Sequence, residues 1–388
     1  MNGRPVWITG VGVVSAAGSG AGELRSLLES GKSGVRSRPE LGGRLAGRGP
    51  SSSGAMRRFM RYMRAPLLAA LLLLVRPADS RAASASPADS ARAGSSSLVA
   101  LPFAYYSPET KIAFGVGSIC SFRSADSDSS ARPSDVRLAL TYTQLNQTII
   151  GLMPNVYLAH ETYALDGFYG YYRFPTKFWG IGNDTPDEAE ESYERRDFES
   201  ETNALRRVGP GLYVGARYQF RHLGLEKIEA DGVLRDEEVC GSAGGSASGL
   251  GVIARHDTRD NVYQPARGFY NQCHAVFFGP AAGSDYSFTV LSLDLRKYVP
   301  VFGSHVVALQ TYDTFIFGDP PFQMLSLLGG SYCMRGYYLG RYRDRNMITA
   351  QAEYRTPLFW RFGAVVFAGF GDVSDSVTAF RLDRFKYS

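Results

Sequence analysis

The sequence lacks several things, and each absence removes a class of function. Its longest apolar run, Pro66 to Val75, is too short to cross a bilayer as a helix. Its four cysteines, Cys120, Cys240, Cys273 and Cys333, form no C-x-x-C pair, which argues against a zinc site and leaves free thiols or a disulfide open. There is no basic stripe of the kind a nucleic acid needs. The five histidines are scattered, and His256 beside Asp257 falls on a strand-like segment where neighbours point to opposite faces, so acid–base catalysis by that pair is not expected. Tryptophan is scarce, with 3 residues, against 23 tyrosines and 23 phenylalanines, so the aromatic content is carried by residues that favour strands.

What is present after Leu98 is alternation. Leu212, Val214, Ala216, Tyr218 and Phe220 fall on one face of a strand, and Tyr213, Gly215, Arg217, Gln219 and Arg221 on the other. Ile348, Ala350, Ala352 and Tyr354 oppose Thr349, Gln351, Glu353 and Arg355 in the same way. Leu291, Leu293 and Leu295 likewise oppose Ser292, Asp294 and Arg296. A soluble sandwich also alternates. The charge density of the polar faces and the number of such segments instead indicate an all-β, transmembrane antiparallel β-barrel with a polar lumen and a lipid-facing apolar surface.

About twelve strands are legible: 111–122, 135–144, 148–158, 161–174, 198–207, 212–221, 249–258, 268–279, 286–298, 305–317, 347–358 and 362–373. The connections 125–134, 183–196, 226–248 and 318–345 are expected as extracellular loops, and 159–160 and 208–211 as periplasmic turns. Tyr169, Tyr171, Tyr172, Phe174, Phe178 and Trp179 are expected at an interfacial aromatic girdle.

The N-terminal part divides differently. Residues 56–64 are basic and acid-free, residues 66–75 are apolar, and Ala83-Ser84-Ala85 is a small-residue cleavage site. Together these form a secretory signal peptide over 56–85, followed by a Ser/Ala-rich linker over 86–97 and the barrel over 98–388. Such a signal works only at an N-terminus, so either the chain joins two unrelated reading frames, with residues 1–55 a spurious fusion, or Met56 is the true start; a genuine fusion of the two activities is the further alternative.

Four strings carry a resemblance to a known family. Met334-Arg335-Gly336-Tyr337 lies in a glycine- and aromatic-rich loop. Asp257-x-Arg259-Asp260, continued by Pro265-x-Arg267-Gly268, reads as a charged hairpin turn. Glu353-Tyr354-Arg355-x-Pro357 follows the loop, and Phe367 to Asp372 lies in the next strand. These strings resemble the bacterial surface antigen family, the BamA- and TamA-like outer-membrane assembly factors. The resemblance implies a sixteen-stranded barrel in the Gram-negative outer membrane and a role in outer-membrane protein assembly or insertion. A passive channel or surface antigen without that activity is the alternative.

The implied partners are outer-membrane lipids (lipopolysaccharide or phospholipid), and also outer-membrane protein clients or periplasmic chaperones. No cofactor, metal, nucleic acid or enzymatic activity is implied. Arg335 is expected to fold into the lumen and pair with Glu353, with Gly336 and Tyr337 shaping the loop. The family's Asp in the last string aligns with Gly369, so Asp372 is expected to be displaced from Arg335. With about twelve strands against sixteen, the chain is expected to be truncated at its C-terminus, and the linker leaves no room for a POTRA domain.

Residues 4–40, with the string Ile8-Thr9-Gly10-x-Gly12-x-Val14-Ser15, resemble instead the start of a β-ketoacyl synthase. A lone β–α unit cannot bury a core. This resemblance implies at most a fragment of an acyltransferase.

Overall fold

The computed structural model describes residues 96–388 apart from 124–131, 230–231, 236–238 and 360–361. The signal-peptide, linker and condensing-enzyme assignments over residues 1–95 lie outside the described residues.

One antiparallel sheet of 15 strands organises the described chain. In chain order its members are β1 (Ser97–Ser107), β2 (Lys111–Phe122), β3 (Ser134–Thr143), β4 (Thr148–Leu158), β5 (Tyr163–Phe178), β6 (Glu191–Gly209), β7 (Leu212–Leu223) and the short β8 (Leu225–Glu226), which pairs with β6. They continue with β9 (Gly245–Asp257), β10 (Gly268–Phe278), β11 (Phe288–Pro300) and β12 (Val306–Gly318). A separate two-stranded hairpin, β13 (Ser326–Leu328) with β14 (Tyr342–Asp344), follows. The sheet then resumes with β15 (Asn346–Pro357), β16 (Gly363–Ser374) and β17 (Lys386–Tyr387). Nearly every strand pairs with its chain neighbour, so the sheet is a meander built from hairpins.

The faces of this sheet are inverted relative to a soluble protein. On β7, Val214 is 40% exposed while Arg217, on the opposite face, is 5% exposed. Leu250 and Val252 on β9, Phe277 on β10 and Val366 on β16 also point outward and are more than half exposed. Water would drive such side chains inward. A hydrocarbon solvent removes that penalty, and it requires every backbone amide and carbonyl to be paired within the sheet. Among the described residues no helix is long and apolar enough to cross a membrane, and that leaves crossing by strands untouched.

The inner face is polar and internally neutralised. Arg217 meets Glu201 at 2.5 Å, Arg255 meets Asp166 at 2.6 Å, and Arg221 meets Asp197 at 2.8 Å. Each pair joins different strands, so the charges that face the lumen also tie the wall together.

All twelve expected strands are found, and the differences are informative. β1 escapes the sequence reading because Pro102 interrupts its pattern, yet proline is tolerated where a strand ends the hydrogen-bonded path, and β1 does so. β5 and β6 run well beyond their expected ends at residues 174 and 198. The charged stretch before Phe198 looks like a loop in sequence, but Glu194 is held by Arg173 at 2.6 Å and Lys227 at 2.5 Å, so paired charges extend the hairpin. The expected loop over 183–196 is shorter for that reason.

Strand alternation also corrects the sidedness of one loop. The connection from β2 to β3 lies at the same end as the β4–β5, β6–β7 and β9–β10 turns, because an antiparallel meander alternates ends. Arg132 in that connection reaches Glu161 and Asp257, both at this end. The connection after β2 is therefore opposite to the long loop between β12 and β15, not beside it. The aromatic girdle is also corrected in part. Phe178 and Trp179 are buried, at 1% and 5% exposure, and face the folded-in loop; Tyr172 and Phe174 share the inward parity of Phe178 and lie under the Arg195 guanidinium, so only Tyr169 and Tyr171 have the outward parity a girdle needs.

Candidate functional site

The chain from Asp319 to Arg345, between β12 and β15, folds back inside the sheet. Two glycines make its tight course feasible. Gly336 has φ +102°, and Gly329 has φ +116° with its Cβ position only 2.2 Å from the Tyr338 carbonyl oxygen. Leu328, Cys333 and Met334 of this loop are buried against Met347 of β15 and Val373 of β16. Phe322 and Leu325 are buried against Phe178, Tyr193 and Leu234. The loop thus packs on two separate apolar clusters, one at β15 and β16 and the other at β5 and β6.

Its tip is fixed by charge. Arg335 donates to Glu353 on the inward face of β15, and its guanidinium lies 4.8 Å from the Phe367 ring centre on β16. Glu353 is shared: its second oxygen accepts from Arg355 Nε at 2.9 Å and Nη2 at 2.6 Å. Tyr337 closes the turn through its backbone, accepting from the Gly330 amide at 2.9 Å, and its ring packs on Tyr342.

A second anchor was not foreseen from sequence. Tyr332 donates its hydroxyl to Asp294 Oδ2 on β11 at 2.5 Å and stacks edge-on against Tyr312 at 5.2 Å. Asp294 also accepts from Arg296 Nε at 2.8 Å and Gln310 Nε2 at 3.0 Å, and Gln351 donates to the Tyr332 carbonyl at 3.0 Å. The only sequence signal for this anchor was the inward parity of Asp294.

The far limb of the loop reaches the opposite wall. Arg341 pairs with Asp187 at 2.6 Å, donates to Thr185 Oγ1 at 2.8 Å and lies over the Trp179 ring. Arg343 donates to the Lys177 carbonyl at 3.2 Å, and the Gly182 amide donates to the Arg343 carbonyl at 2.8 Å. The loop therefore bridges β11 and β15 on one side to the β5–β6 hairpin on the other.

Asp372 takes no part in holding Arg335. Phe367 faces the lumen, and Asp372, five residues on, has the opposite parity. It accepts instead from Asn183 Nδ2. Gly369, which has the inward parity, offers no carboxylate there.

The hairpin string lies at the other end of the sheet, away from Arg335. Asp257 is buried and accepts from Arg259 Nε at 2.9 Å and Arg132 Nη1 at 3.0 Å, while Arg259 also lies over the Tyr270 ring. Asp260 Oδ1 accepts from the Ala266 and Arg267 amides at 2.9 and 3.2 Å. Burial alone would raise the Asp260 carboxyl, but these amides outweigh it and hold it below the ordinary range. Pro265 is buried within the turn and Arg267 is exposed.

Gly268 has φ +102°, and a Cβ there would sit 2.2 Å from the Thr258 carbonyl oxygen. Gly268→Ala is therefore expected to destabilise the protein by about 1–3 kcal/mol in urea titrations of the lipid-reconstituted protein. Gly279→Ala, in extended backbone with nothing within 4 Å of its Cβ position, is expected to be near neutral. Equal effects at the two positions would contradict the strained turn.

Residues 133–385, more than half of the chain, match the Omp85 superfamily domain. Residues 4–40 lie outside that match, and nothing found here supports their condensing-enzyme resemblance. Among solved structures, the chain is similar to BamA from Haemophilus ducreyi lacking POTRA domains 1–3, at 13% identity over 72% of this chain and 57% of that one, with a TM-score of 0.49. It is also similar to CdiB from Acinetobacter baumannii, at 12% identity over 75% of this chain and 52% of that one, with a TM-score of 0.46. The chain thus spans little more than half the length of these relatives. No curated protein matches it.

Proposed function

This chain belongs to the Omp85 superfamily, as an outer-membrane β-barrel of that type, and on that premise we propose that it assists the insertion or assembly of other outer-membrane proteins in a Gram-negative outer membrane. The observation that carries this reading is the loop tied to β15 and β11 by Arg335–Glu353 and Tyr332–Asp294 and to the opposite β5–β6 hairpin by Arg341–Asp187. A passive channel needs an open aqueous path, and a loop held to both walls obstructs one. An assembly factor has no such need. Its work is at a sheet edge, where an incoming strand finds unpaired backbone groups.

The partners in this reading are outer-membrane lipids and unfolded barrel clients, delivered by periplasmic chaperones. Export would start from Met56, with cleavage after Ala85. Arg335, Gly336, Tyr337 and Glu353 would keep the loop in its working position, and the Asp257–Gly268 hairpin would brace the opposite end.

The test is reconstitution of the full chain into phospholipid vesicles, followed by addition of a urea-unfolded small outer-membrane barrel. Faster acquisition of protease-resistant client than in empty vesicles is expected. No acceleration, together with a steady ion conductance, would replace this reading with the passive channel.

A further inference from the structure

The β5–β6 turn, the β14 hairpin strand and the segment after β16 meet over a cleft lined by Asn183, Asp184, Asp344, Ser374, Asp375 and Arg384. Asn183 is 5% exposed. Its Nδ2 donates to Asp372 and to the Arg384 carbonyl at 3.0 Å, while its Oδ1 is buried without any donor. Turning the amide over would place Oδ1 against the Asp372 carboxylate, so this orientation is dictated by its neighbours. A buried carbonyl oxygen with no donor is costly unless something electropositive sits beside it.

Two carboxylates, Asp344 and Asp375, line the same cleft. Asp344 is buried and accepts from the Arg345 amide at 2.8 Å, but the Arg345 guanidinium turns away to Asp319 at 3.6 Å. Asp375 stands close enough to add its charge to that of Asp344. Neither has an ion-pair partner among the described residues, whereas Asp184 is neutralised by Arg384.

We propose that this cleft binds a divalent cation of the calcium type through the Asp344 and Asp375 carboxylates and Asn183 Oδ1. Among the described residues no three Asp, Glu, His or Cys side chains gather as a metal-ligand set, so the site is of mixed composition, two carboxylates with a neutral carbonyl oxygen. All-oxygen sites of low charge suit a hard cation that accepts carbonyl and water ligands, and they bind weakly, at roughly 10⁻⁴–10⁻³ M. A bound cation would tie β14, which belongs to the Arg335 loop, to the β5–β6 turn and to the segment after β16. This inference stands independently of the assembly role.

Calorimetric titration of calcium chloride into the metal-stripped full chain, in detergent micelles free of lipopolysaccharide, tests it. One saturable site is expected, with a dissociation constant of order 10⁻⁴–10⁻³ M. Asp344→Asn removes a buried ligand but can also disturb folding. Asp375→Asn, at an exposed position, carries the test without that ambiguity and is expected to weaken binding about tenfold or more. Asp383→Asn, exposed nearby and paired with Arg381, is expected to leave the affinity unchanged. The proposal is overturned by no saturable binding up to about 10 mM calcium, by equal affinity in Asp375→Asn and wild type, or by equal losses in Asp375→Asn and Asp383→Asn.

Discussion

Glu353→Ala is expected to release the lumen loop, because one carboxylate holds two arginines. Glu353 is 12% exposed as a side chain, Arg335 28% and Arg355 32%, so all three are largely withdrawn from water. Removing the acid leaves two cations facing each other across a confined wall. Breaking a fully buried pair costs about 3–5 kcal/mol, and partial solvation here reduces that to roughly 2–3 kcal/mol.

The readout is trypsin cleavage within residues 334–345 in reconstituted vesicles: protected in the wild type, cut in the variant. Glu353→Gln keeps the shape and some hydrogen bonding and should give an intermediate rate. Tyr332→Phe should cost only about 1 kcal/mol, because Asp294 keeps Arg296 and Gln310 as donors. Unaltered protection in Glu353→Ala would show that the apolar clusters alone retain the loop, and would remove Arg335 from any positional role.

The second large effect is predicted on the outer face. Val252 lies midway along β9, 62% exposed, opposite Ala216 on β7 and Ala275 on β10. Val252→Lys places an ammonium group at the expected bilayer midplane, where a lipid-facing charge costs about 2–4 kcal/mol. The folded fraction in phospholipid vesicles, read from heat-modifiable gel migration and urea midpoints, should fall accordingly. The same change at Val301, exposed in the turn after β11, should cost little, because the ammonium group there reaches the headgroup region. In a water-soluble sheet both substitutions would be mild. A neutral Val252→Lys would therefore show that the apolar face does not meet hydrocarbon.

How much was legible in advance follows from which interactions are local. Alternation is a property of the pleat, so the sequence alone set the twelve strands, their polar and apolar faces and the inward parity of Glu353 and Asp294. The glycines of the Arg335 loop and the Asp257–Gly268 turn were equally readable, because positive-φ backbone leaves a local mark.

The tertiary structure decided what meets across the sheet. Nothing in the spacing says that Tyr332 reaches Asp294, that Arg341 reaches Asp187, or that Phe178 turns from a membrane girdle into a core under the loop. Those partners are set by how far each strand rises and which walls face one another. The same holds for the extension of β5 and β6, where Glu194 looks like a loop residue until Arg173 and Lys227 are placed beside it. A strand's pattern is written along the chain, and its partners are chosen by the geometry of the folded sheet.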